Sequence, residues 1–375
     1  MHRDTYAIID TKKLLENVKY ITNTYDYKYY FGVVKYNAYG HGFEIINSLI
    51  KGGVNYLAVA TLDEALEIRK NYPKIPILIL EPINLNFIDQ AVYYDITVTV
   101  DNLKYLKELL NISLDKKLYV HFKVDSGMNR LGFKNVDEFT EAYGLIANSE
   151  TLYLEGVYTH FATSGLNDKY YDRQVKKFEE ITKNINLGLI HIVHADRSIT
   201  LANKSKLDYC NGCRFGMLLY GISGRKVELS LKQKIKNKIK NILGKTTNYP
   251  QILPLNTGFE LYSEVMSIRN AKKGECVGYA SHWLENDAKI ATIPIGYADG
   301  VDKSFKYVYI SGKKYPIVAD TMDMIMILVD NKIKLNDKVE IIGKNIPVLE
   351  VCQNTGLNAY HLFVKISNRV QRRYK

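Results

Sequence analysis

Eight short apolar runs recur through roughly the first 220 residues, most of them followed by a stretch with helical spacing, and this alternation limits the fold more than any other feature of the chain. They are FGVVK (31–35), YLAVA (56–60), ILIL (77–80), ITVTV (96–100), LYVHFKV (118–124), LEGVYTH (154–160), IHIVH (190–194) and a short one before Arg214. TLDEALEIRK follows the second run, with Thr61 as N-cap and Glu64 closing a capping box, and DNLKYLKELL follows the fourth. Strands that alternate with helices pair in parallel, because each crossover returns the chain to the same end of the sheet. Eight such units are the period of an α/β fold of the (β/α)8 TIM-barrel type, expected over 11–225. Strand counting does not show closure, so a doubly wound open sheet stays the alternative.

The pattern changes after residue 222. From 250 to 375 the runs LYSEVMSI, KIATIPIG, YVYISG, YPIVA, IMILV, KVEIIG and LFVKIS are separated by turn signals such as KKGE, ADG and DNK, which predicts an all-β C-terminal domain joined by an N-terminal strand from 1–10. Residues 226–249 read as a basic amphipathic linker, with Leu231, Ile235, Ile239, Ile242 and Leu243 against a lysine face. Lys and Arg outnumber Asp and Glu by 51 to 40, but the excess gathers in that segment and in the tail NRVQRRYK, so no nucleic-acid-binding stripe is drawn across the fold. The 30 tyrosines accompany many Lys, Ile and Asn, and a coding bias explains them better than base stacking. No apolar stretch reaches the roughly 18 to 20 residues of a membrane helix, and MHRDTYAIID lacks a signal peptide's apolar core, so a cytoplasmic chain is expected and membrane contact is not. The four cysteines, 210, 213, 276 and 352, suit a reducing compartment; the lone CxxC has no second pair to make a zinc site.

Chemistry concentrates at the end of the first run, in Gly32-Val33-Val34-Lys35-Tyr36-Asn37-Ala38-Tyr39-Gly40-His41-Gly42. A lysine at the C-terminal end of a barrel strand points toward the barrel mouth, where a partly desolvated amine can lose its proton and form a Schiff base. This string resembles the cofactor-lysine motif of the alanine racemases, the barrel-type pyridoxal phosphate enzymes, and further segments match the family in order over almost the whole chain. In the segment Lys123-Val124-Asp125-Ser126-Gly127-Met128-Asn129-Arg130, the resemblance makes Arg130 the grip on the substrate carboxylate and Lys123, carbamylated in some members, the residue that orients it. It sets His160 against the cofactor ring, Ser198 on the cofactor phosphate, and Arg214 at the pyridine nitrogen, with the backbone of Gly216 and Met217 on the phosphate and Tyr39 also toward the cofactor. An arginine cannot accept a proton, so it leaves that nitrogen unprotonated and the electron sink weak, which favours returning a proton to the α-carbon over side reactions.

In the second domain, Val277-Gly278-Tyr279 resembles the segment carrying the family's second acid/base, while Tyr297, Met322 and Asp323 resemble residues lining the substrate entrance. Racemisation by two bases needs Lys35 on one face of the α-carbon and Tyr279 on the other. The resemblance implies that Tyr279 reaches a neighbouring subunit, hence a homodimer with active sites completed in trans. The chain departs from the family pattern in three places. Asn368 stands where a tyrosine is usual, and its smaller amide could admit a serine hydroxyl, as in the serine-using racemases of vancomycin-resistance systems. Asp196-Arg197 replace a small residue and Asn, so Arg197 could add a charged contact beside Ser198; Ala319-Asp320 replace Gly-Arg before Thr321. The expected activity is interconversion of L- and D-alanine, with serine or serine/alanine racemisation as the alternative; a barrel-type decarboxylase or aldolase, or a non-catalytic pyridoxal phosphate carrier, fits the second domain less well.

Overall fold

The computed structural model describes residues 3–162, 169–183, 188–194, 209–223, 253–279 and 282–375. The basic segment 226–249, Arg197 and Ser198 lie outside the described residues. The chain divides into two compact units, one made of Leu15–Tyr36 with Ile46–Leu255, the other of Met1–Leu14, Asn37–Ile45 and Asn256–Lys375.

In the second unit the N-terminal strand β1 (Tyr6–Ile9) belongs to the sheet described below; the first unit holds the parallel strands β2 (Tyr29–Val33), β3 (Tyr56–Val59), β4 (Ile77–Ile79), β5 (Val98–Val100), β6 (Leu118–Val124), β7 (Leu152–Thr159), β8 (Ile190–His194) and β9 (Gly212–Phe215). All eight overlap the apolar runs of the sequence, with ends that differ by up to two residues, as at β2, which stops at Val33 where the run extends to Lys35. β9 pairs in parallel with β2, so the last strand returns to the first, and the remaining gap is bridged at Leu78 and Thr97, where Ile79 N–H donates to Thr97 O at 2.9 Å and Thr97 N–H to Ile77 O at 2.9 Å. The sheet is therefore a TIM barrel and not a doubly wound sheet. The anticipated capping box forms: Thr61 caps the helix Leu62–Asn71 and Glu64 reaches back to the cap, while Asn102 caps Leu103–Leu110. Outward-facing Phe122 packs on Phe133 and Phe139 at ring distances of 5.1 and 5.7 Å, each Phe worth roughly 1.5–3 kcal/mol of burial.

The barrel interior departs from the usual branched aliphatic filling. Phe31, Tyr56, His121, Tyr158 and His191 meet there, with the His191 ring stacked on Phe31 at 4.3 Å and on Tyr158 at 4.8 Å. A polar interior that must be matched bond for bond is costly for stability alone, and marks the barrel as built around a site.

The other unit is mostly strands: β10 (Phe259–Glu264), β11 (Ser267–Ala271), β12 (Cys276–Val277), β13 (His282–Trp283), β14 (Ala288–Ile293), β15 (Tyr307–Ile310), β16 (Lys313–Asp320), β17 (Ile325–Val329), β18 (Lys338–Ile342) and β19 (Gln371–Tyr374). β1 lies antiparallel to β10 and parallel to β19, which brings the first and last strands of the chain side by side. Two readings need correction. LYSEVMSI is not one strand but the end of β10 and the start of β11, and LFVKIS lies largely in the helix Ala359–Lys365. There Asn358 caps the helix by accepting from His361 N–H, and Ala359, Leu362 and Phe363 fall on one buried face, a helical period that the apolar run alone hides.

Candidate active site

The site residues of the barrel unit sit at or just beyond the C-terminal ends of its strands. β2 ends at Val33, and Lys35, half-buried, opens a turn in which Tyr36, Asn37, Ala38 and Tyr39 all adopt φ near +50°, between 49° and 53°. Left-handed backbone costs roughly 1–2 kcal/mol per non-glycine residue, so one whole left-handed turn persists only where its surroundings over-determine it. On its barrel side, Tyr36 N–H donates to Glu64 Oε1 at 2.5 Å, the same carboxylate that receives Ala60 N–H at 2.8 Å. Tyr220 O–H donates to Val33 O at 2.9 Å and fixes the strand end two residues before the lysine.

Lys123 and Arg130 follow from β6 and the loop after it. Lys123 is buried, with its ammonium position 4.7 Å from the centre of the Tyr158 ring. Burial, then the charges of Arg214 and Arg130, hold its pKa down to about 7. Arg130 itself is exposed. Asp125 shapes the loop: its Oδ1 receives Gly127 N–H at 2.9 Å and Asn129 N–H at 3.0 Å, while Oδ2 is buried without a partner among the described residues. His160, at the end of β7, is driven down to about 3 by burial and by the charges of Arg214, Lys123, Arg130 and Lys35. Four basic side chains thus bear on one imidazole, and none of the four forms a salt bridge among the described residues.

Arg214 projects from β9, 2% exposed. Its Nη2 donates to Thr159 O at 2.6 Å, its Nη1 to His191 Nδ1 at 2.8 Å, and its guanidinium lies 4.7 Å from the Tyr158 ring centre. Its pKa falls to about 10, mainly through burial, which leaves it charged at neutral pH. In the turn after β9, Leu219 N–H donates to Gly216 O and Tyr220 N–H to Met217 O, which closes the turn directly after Phe215. Cys210 and Cys213, by contrast, are buried thiols pushed up by burial, Cys210 to about 12, and are not reactive thiolates at neutral pH.

The other unit gathers a second set. Tyr279 stands 81% exposed on the turn after β12, and Trp283 on β13 is 63% exposed. Tyr297 N–H donates to Thr321 O at 3.1 Å and Ala298 N–H to Met322 O at 3.0 Å, so the Tyr297 and Met322 loops are zipped together. Gly296 permits this, since a Cβ there would lie 2.4 Å from Thr321 O and 2.5 Å from Met322 O. The wholly buried Asp299 receives Arg3 through both oxygens at 3.0 and 3.1 Å, and Arg369, adjacent to exposed Asn368, lies 3.4 Å from Asp299 and 2.6 Å from Asp323. Tyr297, Met322 and Asn368 are therefore on loops held by one ion-pair network. Tyr39 is buried, edge-on to Tyr360 at 5.4 Å. The turn around it is clasped by His41 Nδ1, within 3.1 Å of Tyr39 O, and by Arg372 Nε, which donates to Gly40 O at 2.9 Å.

The sequence reading missed Asp299 with its two arginines, and it took His121, His191 and Glu155 for ordinary strand residues. A signal was present: His121 and Lys123 are polar residues two apart on one strand, the period of a single face. Among the described residues no cluster of His, Cys, Asp and Glu is placed to hold a metal ion, and no helix is long and apolar enough to cross a membrane.

A TIM barrel with a lysine at the end of its first strand, a buried arginine on its last and a following β-rich unit defines a class of two-domain racemases. The family descriptions "Alanine racemase, N-terminal domain" and "Alanine racemase, C-terminal domain" match residues 9–224 and 259–374, and the chain belongs to the alanine racemase family. Alanine racemase 1 of Bacillus subtilis (strain 168) is 31% identical, with 100% of this chain and 93% of that protein covered. The crystal structure of alanine racemase from E. faecalis superposes with a TM-score of 0.87 at 29% identity, covering 100% of this chain and 99% of that one. A histidine racemase from Leuconostoc mesenteroides subsp. sake NBRC 102480 shares the architecture at a TM-score of 0.84 and 25% identity, over 100% of this chain and 98% of that one. The activity is that of an isomerase, an alanine racemase.

Proposed function

We propose that the chain racemises alanine with pyridoxal 5′-phosphate held in the barrel mouth through Lys35, and that Lys35 and Tyr279 are the two acid/base groups. The observation that carries this reading is the set of four cations, Lys35, Lys123, Arg130 and Arg214, that bear on His160, none of them in a salt bridge among the described residues although Asp125 and Asp101 bear on Lys123. Such a cluster calls for anions, and a phosphorylated cofactor with an amino-acid carboxylate supplies both. When bound, the cofactor would draw off the electron pair left by loss of the α-proton.

The chain's own residues do the rest. Arg130 forks onto the substrate carboxylate, and Lys123 orients it from below; a lysine with its pKa near 7 carries enough free amine to be carbamylated. Arg214, charged and donor-only, keeps the pyridine nitrogen unprotonated, while His160 stays neutral against the ring. Ser198 and the N–H groups of Gly216 and Met217 hold the phosphate, with Arg197 and Tyr39 nearby. Lys35 takes the proton from one face of the α-carbon and Tyr279 returns one to the other. Tyr279 and Trp283 are both strongly exposed on the one β12–β13 pair, and this supports a homodimer in which the partner's Tyr279 completes each site. Tyr297 and Met322 line the entrance.

A second reading concerns the substrate. Asn368 is a short, exposed amide on the loop fixed by Arg369, and it supports acceptance of serine beside alanine. Purified protein with pyridoxal 5′-phosphate, incubated with an equimolar mixture of L-amino acids in heavy water, tests both. D-alanine alone establishes the first reading; D-serine at comparable yield makes Asn368 a specificity determinant. Absence of α-deuterium in every amino acid would sink the proposal.

A further inference from the structure

The barrel encloses a chain of hydrogen bonds that continues past Arg214 to the interior of the strands. Arg214 Nη1 contacts His191 Nδ1 at 2.8 Å, His191 Nε2 contacts His121 Nδ1 at 2.8 Å, and His121 Nε2 contacts Glu155 Oε2 at 3.0 Å. Glu155 Oε2 also receives Tyr56 O–H at 2.7 Å and the Thr97 hydroxyl at 3.4 Å. Both imidazoles are fully buried.

The direction of this chain is forced by chemistry. A guanidinium has only donors, so His191 Nδ1 must accept, and a neutral His191 then carries its proton on Nε2. His121 Nδ1 must accept that proton's bond, so His121 in turn carries its own proton on Nε2 and donates to the Glu155 carboxylate. Every link is satisfied by one pair of tautomers and by no other pair of neutral rings. The groups facing the two rings agree: Arg214 and Lys123 oppose protonation of His191, Phe31 and Tyr158 enclose its faces, and Glu155 is the one acid beside His121 among the described residues. Burial raises the Glu155 carboxyl, while the bonds it receives from His121, Tyr56 and Thr97 favour its ionised form.

Backbone geometry places Glu155 where it can do this. β6 and β7 change register between Val120 and His121, so that Val120 pairs with Leu154 and His121 with Gly156, and Glu155 is the extra residue of a β-bulge. Strict alternation would send Glu155 away from the side that Gly156 and Tyr158 face; the bulge turns it inward. Gly156 leaves room for the ring, since a Cβ there would lie 3.0 Å from His121 Cε1.

We infer that Glu155 is a positioning residue for racemisation: through the fixed Nε2–H tautomers of His121 and His191 it supplies the remote countercharge and the orientation of Arg214, which has no carboxylate of its own among the described residues. The consequence for catalysis rests on the proposed place of Arg214 at the cofactor's pyridine nitrogen. A guanidinium anchored from behind keeps a constant face toward that nitrogen, and two neutral rings between it and Glu155 separate the charges without leaving either unmatched.

The test begins with the wild-type apoprotein labelled with 15N-histidine. Two-bond 15N–1H spectra should show two rings as neutral Nε2–H tautomers that do not titrate between about pH 5.5 and 8.5. An Nδ1–H tautomer at His121 or His191, or either of these two rings becoming cationic in that range, overturns the inference. Glu155→Gln keeps an acceptor oxygen and should preserve both tautomers; Glu155→Leu removes the acceptor and should scramble them, weaken pyridoxal 5′-phosphate binding by about tenfold and shift the absorption band of the bound cofactor. Unchanged imidazole spectra in Glu155→Leu would also overturn it. The imidazole spectra need no cofactor, so a protein that fails to bind pyridoxal 5′-phosphate would refute the proposed function and leave the tautomer result standing.

Discussion

Lys123 shows how far a single buried amine can report on its surroundings. Its folded-state pKa is about 7, against roughly 10.4 in an unfolded chain, so between these values the unfolded state binds the extra proton. Stability contributed through this group must therefore rise as pH climbs through that window, by at most about 1.4 kcal/mol per pH unit, with the full penalty present at and below pH 7. Lys123→Met lacks the penalty. In carbon-dioxide-free buffer its stability advantage over wild type, read by urea denaturation, should be greatest near pH 7 and shrink toward pH 10; a difference that stays flat would mean the amine is not held down. At this scale the sequence was legible where a motif fixes a residue's place in the fold, Lys35 just past β2 and Arg214 on β9, and illegible where a residue's meaning depends on its neighbours across the barrel. Glu155 looks like an outward strand residue until the bulge is known, and Asp299 looks like a turn residue until Arg3, almost three hundred positions away, is seen against it.

At the scale of elements, periodicity carried most of the barrel. All eight parallel strands and the capped helices Leu62–Asn71 and Leu103–Leu110 were readable, because strands buried on both faces and helices with side-chain caps leave local signatures. The helix Ala359–Lys365 was not, since a seven-residue helix is too short for an apolar run to reveal its period. The cap at Thr61 also has a second duty that no local pattern shows: Glu64 receives the N–H groups of Ala60 and Thr61 and, in addition, that of Tyr36 beside Lys35. Thr61→Ala should cost about 1 kcal/mol, the ordinary loss of an N-cap, and leave cofactor binding alone. Glu64→Ala removes three acceptor contacts and should cost more, about 2–3 kcal/mol, and weaken pyridoxal 5′-phosphate retention as well. Thermal melts paired with cofactor absorbance separate the two; equal effects of both variants on absorbance would detach Glu64 from the left-handed turn.

For the whole molecule, the proposed two-base reaction asks whether one chain can supply both bases to one site. Tyr279→Phe removes the proton but keeps the ring, and should lower turnover by about 10²–10⁴-fold while the cofactor still binds. Lys35→Ala should remove both cofactor attachment and turnover. If each site takes its lysine from one chain and its tyrosine from the partner, a mixed dimer of these two variants contains one site with both defects and one with neither. Random reassociation makes about half the dimers mixed, so unfolding and refolding the two inactive proteins together should restore about one quarter of wild-type activity. A site built within one chain would carry a defect in every copy, and the mixture would stay as inactive as its parts. The same arithmetic predicts that activity regained by mixing disappears on dilution below the dimer's dissociation constant, since the intact site exists only while the two chains are together.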